Sequence, residues 1–138
     1  GLVLSWHDGE LGRAVLRLHA GGTRVSMFVA PLREQSDTAV ERGADMVELH
    51  TGKLANAYTE KIESFELERL VDCATHAAGR GLQVNAGHGI NYRNIALIHE
   101  IPHLSELNIG HSIVARAMVV GLETAVREML ALMQGYRG

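Results

Sequence analysis

Short β-rich runs alternate with longer amphipathic ones along this chain, and that alternation limits the folds open to it more than any other feature. Arg24–Val29, Asp45–His50, Leu82–Ala86 and Glu106–Ile109 read as strands. Between and after them, Leu32–Arg42, Ser64–Ala78 and a segment from Asn91 to about Glu100 read as helices, the last of these stopped by Pro102. Ser64 is the expected N-cap of the second helix, and Leu67, Leu70, Val71, Ala74 and Ala78 form its apolar face. The polar stretch Lys53–Glu63 reads as a loop. A helix over Glu10–His19 precedes the first strand, and helices over Ser112–Val119 and Glu123–Gln134 close the chain. Strands joined through helices of this length pair in parallel through right-handed crossovers.

Four such units suit either an open doubly wound sheet or half of an eight-stranded barrel. Three successive strands leave through a glycine loop carrying a polar side chain: His50-Thr51-Gly52, Gly87-His88-Gly89 and Gly110-His111. A barrel collects its site from several strand ends, whereas an open sheet concentrates its glycine loop at one switch point. The expected fold is therefore α/β, a C-terminal half-barrel of about four βα units of the (β/α)8 TIM-barrel kind. A complete barrel takes ~250 residues, about twice the 138 present.

Composition narrows the function classes. The chain is 46% hydrophobic and 21% charged, enough for one core, and its 4% aromatic content makes that core aliphatic. A formal charge of −3 offers no basic footprint for nucleic acid or an anionic membrane. No apolar run approaches the ~20 residues of a membrane span. The single cysteine, Cys73, excludes an intrachain disulfide and fits a reducing, cytoplasmic setting. It falls beside a helix's apolar face, as a small core residue.

The loops suggest phosphate chemistry. Gly110-His111-Ser112 stands at a strand exit before a short helix, where free N–H groups and the helix dipole favour an anion. Together with Gly87-His88-Gly89 it occupies the place where barrels bind phosphate, although glycines there also make plain tight turns. His88, flanked by glycines, is a candidate proton-transfer group or an exposed loop residue. Glu48 is a carboxylate on an otherwise apolar strand, set to meet a cation, a developing positive charge or a structural partner. Asn85, similarly placed, is a candidate to orient His88 or a substrate hydroxyl, or an anchor for its loop. His50, His88 and His111 come from three strands without local ligand spacing, so no metal is expected. His19, His76, His99 and His103 read as solvated or capping residues, and His7 lies in an uninformative stretch.

Val84-Asn85-Ala86-Gly87-His88-Gly89-Ile90-Asn91-Tyr92 and Glu106-Leu107-Asn108-Ile109-Gly110-His111-Ser112-Ile113 closely resemble the pyridoxine 5′-phosphate synthase family. Val47-Glu48-Leu49-His50-Thr51-Gly52 and Arg24-Val25-Ser26-Met27-Phe28 are similar to the same family. The resemblance runs from about residue 11 to the end, with the motifs in the family's order. It implies a (β/α)8 barrel of vitamin B6 biosynthesis that condenses 1-deoxy-D-xylulose 5-phosphate with 3-amino-2-oxopropyl phosphate, releasing phosphate and water. It also implies no metal or organic cofactor, and a homo-oligomer, typically an octamer. Carried over by motif, His88 is expected to be a catalytic proton donor and Glu48 to stabilise a transition state, with Gly89, Gly110 and His111 holding substrate phosphate and nearby oxygens.

The chain also departs from the pattern. The family's first four strands, with further catalytic and binding residues, have no counterpart. Residues 1–10, including Trp6-His7-Asp8, are unassigned, and Pro31 and Leu32 stand where acidic residues are expected. The expectation is a C-terminal portion of such a synthase, inactive alone. The rival readings are another phosphate-binding barrel enzyme and a non-catalytic, phosphate-binding half-barrel.

Overall fold

The computed structural model describes residues 9–136, so Trp6-His7-Asp8 lie outside it. Helix α1 (Gly9–Ala20) leads into β1 (Ser26–Val29), α2 (Arg33–Glu41), β2 (Met46–His50), the single turn α3 (Gly52–Ala55) and the long α4 (Glu60–Gly79). There follow β3 (Gln83–Gly87), the short α5 (Ile95–Ile98), β4 (Leu104–Asn108), α6 (His111–Val120) and α7 (Leu122–Met133). The strands form one sheet in the order β1-β2-β3-β4, every pair parallel. Among the described strands the sequential order contains no point where the winding reverses, which favours the barrel arrangement over the doubly wound one. The architecture is that of four consecutive units of a (β/α) barrel.

Side-chain alternation divides the sheet into two unlike faces. Met27, Val29, Val47, Leu49, Val84 and Ala86 point one way and are buried, joined by Ala39 of α2 and by Leu70, Cys73, Ala74 and Ala77 of α4. Cys73 is thus a core residue; burial pushes its thiol above the ordinary range, and Ser36 Oγ lies 3.5 Å from its sulfur. The opposite face carries Phe28, Glu48, His50, Asn85 and Asn108, which makes it the chemical face. A parallel strand covered on both sides by helices would be apolar throughout. β2, reading Met-Val-Glu-Leu-His, is not.

Several local expectations need correction. Lys53–Glu63 is not a loop: it contains most of α3 and the first turn of α4. The cap of α4 is Thr59, in extended conformation, whose hydroxyl accepts from the Ile62 N–H at 3.3 Å, with Glu60 and Glu63 favourably placed in the first turn. Ser64 lies inside the helix. The segment from Asn91 is helical only over Ile95–Ile98, because Asn side chains compete for its backbone. Asn91 Oδ1 accepts from the N–H groups of Arg93 and Asn94, while the Asn91 N–H donates to Asn94 Oδ1. β4 begins two residues earlier than the pattern suggests: His103 turns the chain with φ +64°, and Tyr136 Oη accepts from the Leu104 N–H.

The helical histidines are also more engaged than expected. His76 of α4 meets Asp37 of α2 at 3.0 Å, and His19 meets Asp45 at 2.9 Å. The Val25 N–H and His19 together hold the Asp45 carboxyl below its usual range. His99 packs beside Tyr136, and its buried Nε2 has no hydrogen-bond partner among the described residues.

Candidate active site

The C-terminal ends of β2, β3 and β4 open onto a pocket of about 540 Å³. Glu48, His88, Gly89, Gly110 and His111 all line it, accompanied by Phe28, Asn108 and Ser112. Residues 88 and 110 therefore share one cavity, and the five residues carried over by motif line it, whereas Asn85 does not. The volume is within the range of small-molecule sites, ~300–1,000 Å³.

His88 occupies a left-handed backbone conformation, φ +78°, that a non-glycine residue adopts at a cost. Thr51 stabilises that turn from below. Its N–H donates to the Gly87 carbonyl at 2.9 Å. Its hydroxyl, 2.8 Å from Gly87 O and 2.6 Å from His88 O, donates its proton to these two carbonyls in turn. Thr51 is only 1% exposed, so these bonds form away from water and are costly to leave unmade. The fixed backbone leaves the exposed His88 ring at the pocket wall.

Glu48 is half-buried on the chemical face of β2, with Asn85 beside it on β3. Asn108 Nδ2 donates to Glu48 Oε2 at 2.7 Å, fixing the carboxylate from β4. The other oxygen rests over Gly87, where any Cβ would overlap Oε1 and Cδ. Glycine at 87 is thus a condition for the observed position of Glu48.

Gly89 and Gly110 answer different needs. Gly89 has φ +79°, and a Cβ there would lie 2.6 Å from Ala55 Cβ, so the turn itself requires it. Gly110 has an ordinary negative φ of −117°, and a Cβ would meet nothing within 4 Å. It lines open pocket space and stands at the N-cap of α6 with no side-chain cap, so the first N–H groups of the helix remain available beside the cavity. Ser112 Oγ donates to the Ile90 carbonyl, tying the start of α6 to the loop that follows His88.

Asn85 does not orient His88. It is 2% exposed and its amide is occupied within the sheet, Oδ1 accepting from Gln83 Nε2 at 3.1 Å and Nδ2 lying 4.0 Å from Met46 Sδ. His50 instead stacks on the His88 ring. Thr51 and Asn108 escape a reading by residue type because neither suggests chemistry alone; their period-two relation to Leu49 and Glu106 at strand exits is the signal that places them. Among the described residues, no group of three or more His, Cys, Asp or Glu side chains is arranged to hold a metal ion. None of the described helices is long and apolar enough to cross a membrane.

The family model "Pyridoxal phosphate biosynthesis protein PdxJ" matches residues 1–135, which takes in the first ten residues that the motifs left unassigned. The chain is 49% identical over 134 residues to the pyridoxine 5′-phosphate synthase of Magnetococcus marinus, covering 97% of this chain and 55% of that protein. It is 47% identical over 137 residues to the enzyme of the same name from Legionella pneumophila strain Paris, covering 99% and 55%. The Chlorobium phaeobacteroides protein of that name is 46% identical over 134 residues, covering 97% and 57%. The chain thus spans a little over half the length of the curated relatives it matches. With its parallel βα units and its strand-end pocket, it belongs to the PdxJ family of pyridoxal phosphate biosynthesis proteins.

Proposed function

We propose that this chain contributes its part of the active site of a pyridoxine 5′-phosphate synthase, condensing 1-deoxy-D-xylulose 5-phosphate with 3-amino-2-oxopropyl phosphate. The observation that carries the reading is the convergence of an imidazole, a carboxylate and an uncapped helix start on one pocket.

Gly110, His111 and the first N–H groups of α6 bind a substrate phosphate, since unpartnered amide donors and the positive end of a ten-residue helix favour a dianion. The Gly89 N–H and the His111 ring contact nearby substrate oxygens. His88 donates the proton when water leaves, a task suited to an exposed imidazole on the pocket wall that reaches the substrate directly. Glu48, fixed by Asn108, lies where positive charge develops on the substrate amine or imine and stabilises it. A carbonyl–amine condensation with dehydration needs repeated proton movement, which an imidazole and a carboxylate on one pocket provide. The working enzyme is a homo-oligomer.

The test supplies this chain with the segment of the Magnetococcus marinus relative that it does not match, then measures product from both phosphorylated substrates. Product should form in the mixture, little or none from the chain alone, and none from a mixture carrying His88→Ala. Gly110→Ala should keep its fold and lose phosphate affinity by ~10-fold or more, because the methyl group enters the pocket. Phosphate binding that survives Gly110→Ala, in a mixture that forms no product, would replace the synthase reading with a non-catalytic one. Product from other sugar phosphates alone would favour another barrel enzyme.

A further inference from the structure

His50 and His88 leave different strands, yet their rings stack with centroids 4.5 Å apart and planes 24° from parallel. Phe28 of β1 tilts against both, 5.3 Å from the His50 ring and 6.4 Å from the His88 ring. The His50 ring is fixed by the backbone: the Gly52 N–H donates to its Nδ1 at 3.3 Å. A ring nitrogen that accepts a hydrogen bond carries no proton, so this bond requires the neutral tautomer protonated at Nε2. Space enforces the same arrangement. A Cβ at Gly52 would lie 2.5 Å from His50 Cε1 and 2.8 Å from His88 Cδ2, so glycine lets both rings occupy the turn together.

We propose that His50 is a positioning residue for His88: a neutral ring, locked by Gly52, that stacks on the His88 imidazole, confines it to one orientation over the pocket and leaves the proton of the pair on His88. The inference rests on the reading of His88 as proton donor. Two imidazolium rings at this separation repel, so the pair holds one positive charge at a time. Three other charged or titratable groups bear on it. Lys53 of α3 opposes a charge on His50, Glu48 two residues back along β2 favours a charge in the site, and His111 faces His88 from the same pocket. Burial, with the like charges of His88 and Lys53 adding to it, pushes the His50 imidazole below its ordinary range. The proton therefore belongs to the outer, exposed ring, where a substrate can receive it.

The experiment is ring-nitrogen NMR on the full chain, without substrate, titrated through the histidine range. His50 Nδ1 should keep the signature of an unprotonated acceptor while His88 titrates. His50→Leu should average the His88 side-chain rotamers, whereas His50→Phe, which keeps a stacking face, should restore the single orientation. A wild-type chain in which His50 takes the first proton overturns the proposal, even if no variant folds. So does a His88 ring that is ordered alike in wild type and His50→Leu, or alike in His50→Phe and His50→Leu. Because no substrate is present, a failed condensation with this titration intact would count against the synthase reading alone.

Discussion

Gly87 and Glu48 sit on neighbouring strands, and the absence of a side chain on one sets the position of the other. Introducing a methyl group at 87 would drive it into the Glu48 carboxylate, with Asn108 Cβ only 3.2 Å away on the other side. The carboxylate is the far end of a flexible side chain, so it can move, and Gly87→Ala should cost only about 1 kcal/mol in urea unfolding. The displaced charge should nevertheless lower turnover of the reconstituted enzyme ~100-fold, which single-turnover kinetics would show. A large stability loss with unchanged turnover would mean that Gly87 serves packing alone. His50 gives a second residue-scale prediction. Its folded-state imidazole titrates below its unfolded value, so the stability linked to its neutral form is complete above about pH 6.5 and is lost as pH falls through that value toward the folded one. Urea midpoints followed across this window should fall more steeply for wild type than for His50→Phe. That Glu48, His88, Gly89, Gly110 and His111 share one pocket is legible in the sequence, because polar residues and glycines at or near the ends of consecutive parallel strands face the same mouth. The parts of Thr51 and Asn108 are not, because a hydroxyl or an amide acquires its role only from the carbonyl or carboxylate that the neighbouring strand brings to it.

At the scale of elements, the sequence and the structure disagree most about where α4 begins, and the disagreement has a measurable consequence. Thr59 and Ser64 are both good capping residues, but only Thr59 adopts extended backbone and accepts from the Ile62 N–H. Thr59→Ala should therefore destabilise the chain by about 1 kcal/mol and speed amide exchange in the first turn of α4, while Ser64→Ala should leave both within a few tenths. Reversal of that order would move the helix start back to Ser64. The cause of the misreading is physical: Lys53–Glu63 is polar because it is solvated, and α3 and the first turn of α4 need only their end groups satisfied, not an apolar stripe. The opposite error occurs at Asn91–Glu100, where apolar spacing suggests a long helix but the amides of Asn91 and Asn94 capture the backbone donors first. The strands were easier. Each alternates, or runs apolar, between glycine or proline punctuation, whereas the pairing Gly87↔Asn108 depends on a register shift between Val84 and Asn85 that no sequence pattern announces.

Across the whole molecule, the four-stranded sheet has β1 and β4 as its edges among the described residues, and their outer backbone groups are templates for a further strand. The α6–α7 pair adds exposed apolar side chains, with Met118 83%, Val119 80% and Leu122 62% exposed. A net charge of −3 provides little repulsion to keep copies apart. The chain alone should therefore self-associate with rising concentration in sedimentation velocity. The two surfaces are separable: Met118→Lys with Val119→Lys removes the helical contribution and leaves the edges, whereas the complementary segment of a relative pairs both edges by closing eight strands. If the edges dominate, the complement should convert a broad distribution into a defined species and the lysine variant should change little. If the helical face dominates, the lysine variant should do most of the work. A chain that stays monomeric without either treatment would show that these edges are already protected, and the half-barrel would then be a finished unit.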